Sequence, residues 1–414
     1  MGGVFSLHES ARPFRKVQNE SNKNDSIVEN SSIGKNKHIE HLEDEIINSG
    51  LPGLKSVIET LTAVHSMLSG KEDTGYSISE KWDGAPAIIC GKDPETGNFV
   101  MGDKGIFSTR SNNKIFSLQD IANIKPDKEI NGQVKTYQGL RNKLSTVFPL
   151  LASLNLDDVI QGDLMYTKSD LKQASINGRQ YIIFRPNTIT YAVPVDSELA
   201  QKIVNSEAGM VFHTKYTGGI DLSTMKANYG FNATELASPS ALWITDANIN
   251  GQLKNVKIDQ LSSNKIFSSI QVLSKVANSM ENDALNLDDG SIQELKTFIN
   301  YMIKETGRFE QDLSKFVNNF MGWAQARSNP VTIDPKKLAS LYNLYLAIIR
   351  IKISLLSYLR SVKLLDTFIQ HTDGSFTPTS SEGYVVVDQF GKAIKLVNRL
   401  EFSRFNFLLP KNWN

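Results

Sequence analysis

Cysteine is almost absent: Cys90 is the single one in 414 residues. That excludes a disulfide framework and any cysteine-rich zinc site, and it fits a reducing cytoplasm. Net charge is nearly absent too, with 45 Lys plus Arg against 44 Asp plus Glu. No global basic field advertises a nucleic-acid partner, although a local basic groove in a neutral chain suffices for binding by counterion release. No stretch has the pattern of a signal peptide or a membrane span. The most apolar region, Leu338 to Leu365, is interrupted by Arg350, Lys352, Arg360 and Lys363 and reads as a buried amphipathic helix. The start Met1-Gly2-Gly3-Val4-Phe5-Ser6 fits the loose myristoylation pattern, but nothing else points to a membrane and it reads as an ordinary N-terminus.

At 40% hydrophobic, the chain has apolar residues enough for two or three ordinary cores. Residues 1–37 are rich in Asn, Ser and Lys and read as a flexible lead. Residues 38–70 turn helical, with Leu42, Ile46 and Ile47 on one face and Leu54, Val57, Ile58 and Leu61 on a second, separated by Leu51-Pro52-Gly53. Short strands follow over 71–245: Tyr76–Ser79, Pro86–Cys90 and Phe99–Met101 around a turn at 93–98, then Val159–Tyr166, Tyr181–Phe184, Ile189–Val193 and Val211–Thr214. Residues 246–370 read as a helical insertion. Ser291-Ile292-Gln293-Glu294 looks like a capping box for a helix that Gly307 ends, and Asp334-Pro335 opens the long apolar helix. Strands return over 371–414 at Tyr384–Val387 and Ala393–Val397, followed by a basic tail. The expectation is an α+β fold whose antiparallel-sheet core is split by helices.

The chemistry concentrates in Ser79-Glu80-Lys81-Trp82-Asp83-Gly84-Ala85-Pro86. A lysine ahead of a turn is an ordinary surface feature unless other parts of a site follow it, and here they follow in order. Gly102-Asp103-Lys104-Gly105-Ile106-Phe107-Ser108-Thr109-Arg110 carries basic residues, Gln161-Gly162-Asp163-Leu164 places an acid on a strand, and Tyr191 lies on another. Ser381-Glu382-Gly383-Tyr384 and Gly391-Lys392-Ala393-Ile394-Lys395 then set an acid and lysines on what reads as one hairpin, able to share a sheet face.

This ordered set resembles the covalent nucleotidyltransferases: ATP-dependent DNA ligases, RNA ligases and mRNA capping enzymes. The resemblance covers residues 76–195 and 380–400 and implies a nucleotidyltransferase core of the ligase, ATP-grasp-like type. It implies Lys81 as the nucleophile that takes up AMP, with Asp83 and Gly84 completing its motif and Glu80 beside the nucleotide. Asp163 stands where the family carries a glutamate that meets the ribose or a metal-bound water, and Glu382 where it carries the ligand of the catalytic metal. Tyr191 falls at the aromatic that stacks on the base. Lys395 and Lys392 fall at the basic strand that binds the α-phosphate, and Arg110 or Lys104 at the acceptor phosphate. The implied cofactors are ATP and Mg²⁺ or Mn²⁺, and the implied partner is a nucleic acid with 5′-phosphate and 3′-hydroxyl ends. RNA is preferred over DNA because Glu80 directly precedes the lysine. The chain departs from the family at Pro86, where Arg or Asn is common, and at Val397, where a second lysine is common.

The expected activity is therefore ATP-dependent polynucleotide ligation in the cytoplasm, in a chain whose Asn, Lys and Ile usage suits a large bacteriophage. The alternatives are a capping or protein-adenylylating nucleotidyltransferase and a binding module without catalysis. His38, His41 and Glu45 share a helix face with metal-ligand spacing but read as a solvated helix start. His213 reads as a core histidine or a residue bordering the groove. Lys392, Lys395, Arg399, Arg404 and Lys411, interleaved with Phe402, Phe405 and Phe407, read as a nucleic-acid contact.

Overall fold

The computed structural model describes residues 39–403, apart from 72, 109–112, 131–132, 234–235, 237–238 and 328–329. The chain begins with β1 (Glu40–His41) and α1 (Glu45–Leu68), then β2 (Ser77–Lys81), β3 (Ala87–Lys92), β4 (Phe99–Gly102), α2 (Leu118–Ile121), β5 (Lys128–Ile130), β6 (Gln133–Lys135) and α3 (Gln138–Ala152). It continues through β7 (Val159–Thr167), β8 (Lys172–Ile176), β9 (Arg179–Phe184), β10 (Thr190–Pro194), α4 (Glu198–Asn205), β11 (Ala208–Thr217), β12 (Lys226–Tyr229) and β13 (Leu242–Asp246). Five helices follow: α5 (Asn250–Leu253), α6 (Gln260–Ser279), α7 (Asp289–Thr306), α8 (Leu313–Gln325) and α9 (Pro335–Leu359). The described part closes with β14 (Asp366–Gln370), β15 (Phe376–Pro378), β16 (Gly383–Val387) and β17 (Ala393–Val397). The fold is mixed α+β, as expected.

Three sheets carry the architecture. One runs β1-β17-β16-β2, a second β12-β11-β7-β3-β4 with β13 beside β11, and a third β15-β14-β10-β9-β8. Strand pairing is antiparallel except where β1 meets β17 and β13 meets β11. The long β7–β11 pair has register shifts at Gly209/Met210 and Phe212/Thr214, which bend the sheet. β14 falls within the span expected to be helical; it extends the third sheet by pairing with β10.

Side-chain alternation fixes how the first sheet sits. Ile78, Tyr384, Val386, Ile394 and Leu396 point to one face and join a single core with α1 and α6–α9. The N-terminal helical segment and the helices of 246–370 thus share that core. Within α1 the break falls at Gly50 (φ 57°, ψ −130°), one residue before Leu51-Pro52-Gly53. The capping box expected at Ser291 is displaced by one turn: Asp288 is the cap, its carboxylate accepting from the Ser291 backbone N–H, and Gly307 ends the helix in the left-handed region. Asp334 caps α9 with Pro335 in its first turn. α9 is the one helix among the described residues long and apolar enough to cross a membrane, yet most of it is buried.

Inside that core lies a cluster of charge. Glu43, Asp44 and Glu45 are buried, which overturns the solvated helix start expected for this segment. Lys352 Nζ lies 2.6 Å from Glu43 Oε2, and Arg399 Nη1 lies 2.9 Å from Asp44 Oδ1. Arg399 also donates to Tyr345 Oη (2.6 Å) and Asn300 Oδ1 (2.6 Å), and Tyr345 donates to Asp44 (3.2 Å). The network ties the segment before α1 to α7, α9 and the residues just after β17. Burial pushes the Lys352 ammonium below its usual range, opposed by Glu43. Removing one partner of such a pair strands the other. We therefore expect Lys352→Met to lower the unfolding free energy by about 3–5 kcal/mol, and Lys352→Met with Glu43→Leu to recover most of it. Urea denaturation of the single and double variants checks this.

Candidate active site

The opposite face of the first sheet is polar. β16 pairs with β2 so that Gly383 faces Lys81 and Val385 faces Ser79, and with β17 so that Val385 faces Lys395. Ser79, Val385 and Lys395 therefore form a row across three strands, with Lys81 two residues beyond Ser79 on the same face. Across from this row stand Gln161 and Asp163 of β7 and His213 and Thr214 of β11. Together with Ile39, Glu80, Trp82, Lys104, Tyr229 and Ala247, they line a cleft of about 280 Å³.

The turn after β2 holds the two walls together. Asp83 is buried, and its carboxylate accepts from Asn187 Nδ2 (2.7 Å) and from the backbone N–H groups of Thr188 (2.7 Å) and Ile189 (2.8 Å). A side chain at Gly84 would place its Cβ 2.4 Å from Asp163 Cβ and 2.9 Å from Met165 Sδ, so only glycine lets this turn lie against β7. Hydrogen bonds Ala85 N to Leu164 O (2.9 Å) and Leu164 N to Pro86 O (3.0 Å) then carry the chain into β3. Asp163 and Lys81 meet in one cleft because of that contact.

Lys81 Nζ lies 2.5 Å from Glu382 Oε2, a pair 301 residues apart in sequence. The lysine side chain keeps 34% of its surface exposed, so a ligand in the cleft can reach it. Burial works against its charge, but Glu382, Asp163 and Asp83 outweigh burial and hold the pKa above the usual lysine value. A lysine that acts as a nucleophile must first lose that proton. Lys395 behaves oppositely: burial and the Lys81 charge push it down to about 8, against Asp44, Glu40 and Glu382. Burial raises Asp163 to about 7, with Lys81 opposing and Glu382 and Asp83 adding to the rise. Burial also raises Glu80 to about 7, opposed by a hydrogen bond with Ser381. His213 is pushed down to about 4 by burial and by Lys81 and Lys104, and is therefore neutral near pH 7. Its Nδ1 is 2.7 Å from Thr214 Oγ1 and its Nε2 is 3.8 Å from Asp163 Oδ2.

The cleft thus collects Lys81, Glu80, Asp163 and Lys395 from the expected set, with Glu382 paired to Lys81, while Asp83 and Gly84 fix the turn that follows β2. Three expectations fail or fall outside. Tyr191 is 1% exposed, with its ring stacked on Trp82 (5.2 Å) and its hydroxyl accepting from Asp83 N (2.7 Å); it packs the core and is not available to stack on a base. Lys392 turns away, its Nζ bound to Glu45 (2.5 Å) and Ser56 Oγ (3.1 Å), so it does not reach the cleft. Arg110 lies outside the described residues, as do Arg404 and the residues after it, while Arg399 and Phe402 of the expected basic tail are buried. Lys104, exposed on a short turn, lines the cleft. Gln161, Trp82, Thr214 and Tyr229 were not expected there. Gln161 shares the Asp163 face two residues along β7, so alternation from Asp163 would have marked it.

Among the described residues no group of three or more His, Cys, Asp and Glu side chains forms a metal site by itself. Mg²⁺ needs less than that from protein, since it takes one or two carboxylates and completes its shell with water and substrate phosphates. Glu382 and Asp163 fit that role; Asp83, its oxygens occupied by Asn187, Thr188 and Ile189, does not.

The chain belongs to DUF6267, a family of unknown function, which it matches over residues 36–411. No curated protein and no solved structure matches it.

The raised Asp163 carboxyl carries a stability consequence. Between pH about 4 and about 7 the folded chain keeps this proton while the unfolded chain gives it up, so the contribution present at low pH is lost as pH rises through that window. Asp163→Asn removes the loss. The difference in melting temperature between Asp163→Asn and wild type should therefore grow in favour of the variant from pH 4 to pH 7 and level off above. Thermal denaturation across that range checks it, and a constant difference would contradict it.

Proposed function

We propose that this chain is a covalent nucleotidyltransferase: an ATP-dependent polynucleotide ligase, with RNA ends preferred, whose core is of the ligase type. The observation that carries the reading is the convergence of Lys81, Glu382, Lys395 and Asp163, from four separated stretches of sequence, around one cleft. Sequence order alone does not require four such residues to meet.

In the proposed first step, Lys81 Nζ attacks the α-phosphorus of ATP. The P–N bond forms as the bond to the bridging oxygen breaks, and pyrophosphate leaves. The amine must first shed its proton. The Glu382 contact keeps it charged; once that carboxylate is neutralised or engaged elsewhere, burial and the nearby Lys395 both favour the neutral amine. Lys395 sits on the same sheet face as Lys81 and is placed to bind the α-phosphate oxygens, and Lys104 adds positive charge at the cleft mouth. Asp163, readily protonated near pH 7, is placed to exchange a proton within the cleft. A bound Mg²⁺, held through Glu382 and Asp163, would supply charge neutralisation to the phosphates. AMP then passes to a 5′-phosphate, and a 3′-hydroxyl displaces it as the new phosphodiester forms.

Incubation with α-³²P-ATP and Mg²⁺, followed by denaturing electrophoresis, tests the reading. The expected result is a labelled protein band, absent in Lys81→Ala and formed at least about a hundredfold more slowly in Lys395→Ala. Label from α-³²P-GTP alone would move the reading to capping chemistry. No label from either nucleotide would overturn it in favour of a binding module.

A further inference from the structure

One polar group in the cleft wall has no counterpart. Trp82 follows Lys81 directly, lines the same cleft and is 5% exposed. Its ring is fixed by stacking on Tyr191, whose hydroxyl is in turn held by the Asp83 backbone. Its indole Nε1 is buried, and among the described residues it has no hydrogen-bond partner. Buried tryptophan N–H groups ordinarily find an acceptor, and leaving one without costs about 1–3 kcal/mol. Simple packing does not call for tryptophan here, since phenylalanine would stack on Tyr191 without a donor to satisfy.

An indole N–H donates and cannot accept, so its missing partner is an acceptor atom. The charges around it narrow the class. Lys81, Lys104 and Lys395 line the same cleft and draw an anion into it. Glu382, the nearest carboxylate to Lys81, is already paired with it. Trp82 follows Lys81 in the chain and lines the same cleft, so both residues border the space a ligand would occupy.

We propose that the Trp82 indole N–H donates a hydrogen bond to a phosphate oxygen of the ligand bound beside Lys81, which makes Trp82 a ligand-binding residue of this cleft. The inference rests on the nucleotidyltransferase reading for the identity of that ligand, but not for the contact itself, which any phosphate chain would satisfy. The role belongs to the side chain between Lys81 and Asp83, the position the motif itself leaves open.

The chain has four tryptophans, so a ¹⁵N-labelled sample in H₂O gives a small set of indole N–H resonances. The Trp82 signal is the one missing in Trp82→Phe or, should that variant not fold, the one left unassigned by Trp243→Phe, Trp323→Phe and Trp413→Phe. Wild type is titrated with ATP and Mg²⁺, with inorganic tripolyphosphate, and with adenosine. The expected result is a saturable downfield shift of the Trp82 indole proton with ATP and with tripolyphosphate but not with adenosine, and roughly tenfold weaker tripolyphosphate binding by Trp82→Phe. A shift with adenosine alone would overturn the phosphate assignment. No shift with any of the three would overturn the proposal, even if Lys81 labels with ATP. Conversely, a tripolyphosphate shift in a protein that never labels would keep the contact and sink the ligase reading.

Discussion

β16 is the strand on which the cleft depends. It hydrogen-bonds to β2 on one side and β17 on the other, so one ladder fixes Lys81, Val385 and Lys395 in register. Glu382 stands immediately before it, which is why a carboxylate 301 residues from Lys81 in sequence lies 2.5 Å from its nitrogen. The pleat does the rest. Residues of one parity, Ile78, Tyr384, Val386, Ile394 and Leu396, enter the helical core, and those of the other parity face the cleft. A register slip of one residue would exchange the two faces, burying lysines among leucines. The apolar face therefore protects the polar one, because the core specifies the register that the site requires.

The charged cluster around Arg399 extends the same constraint to the far edge of the sheet. Asp44, Tyr345 and Asn300 converge on Arg399, two residues beyond the end of β17, while Lys392 at the start of that hairpin strand is held by Glu45. β17 is thus clamped at both ends by acids from the segment next to α1. The parallel pairing of Glu40 with Ile394 and His41 with Lys395 lies between the clamps. Burying so many charges is costly in itself, and removing one partner of a buried pair strands the other, so the cluster holds its members together. Here the geometry held in place is that of the strand carrying Lys395.

Much of this could be read from the residues. The strands at 77–81, 159–167, 383–387 and 393–397 lie within two residues of where the sequence puts them, and the helix boundaries signalled by Asp334-Pro335 and Gly307 hold. Lys81, Asp163, Glu382 and Lys395 were singled out by their order along the chain, which resembles the nucleotidyltransferase set; alternation added only that the acid and lysine of the last hairpin could share a sheet face. What escaped was whatever depends on a distant partner. Glu43, Asp44 and Glu45 look like the acidic first turn of an exposed helix until Lys352, Arg399 and Lys392 are brought to them. Lys392 and Lys395 are equivalent on a charge count, yet one meets Glu45 and the other the cleft. Tyr191 occupies an alternating strand in a third sheet, and nothing in its neighbours says that Trp82 and Asp83 cover it. β14 was missed because five residues of mixed polarity acquire strand character only by pairing with β10.

The electrostatics of the cleft bear most directly on the proposed chemistry. A nucleophilic lysine has to be neutral, and the structure holds Lys81 as an ammonium. The two statements agree if the ion pair with Glu382 is the resting state. Of the influences on Lys81, burial is the largest and always acts toward the neutral amine, while the opposing influences come from carboxylates, two of which, Glu382 and Asp163, a bound Mg²⁺ would engage. Lys395, a lysine on the same sheet face, falls to about 8 under burial and the Lys81 charge, with Asp44, Glu40 and Glu382 opposing. The two lysines thus differ in their charged neighbours: Lys81 is paired with Glu382, while Lys395 faces the Lys81 ammonium. Under the proposed reading, Lys81 stays protonated as long as its carboxylate neighbours hold that charge, and moves toward the amine when they are engaged by what the cleft binds.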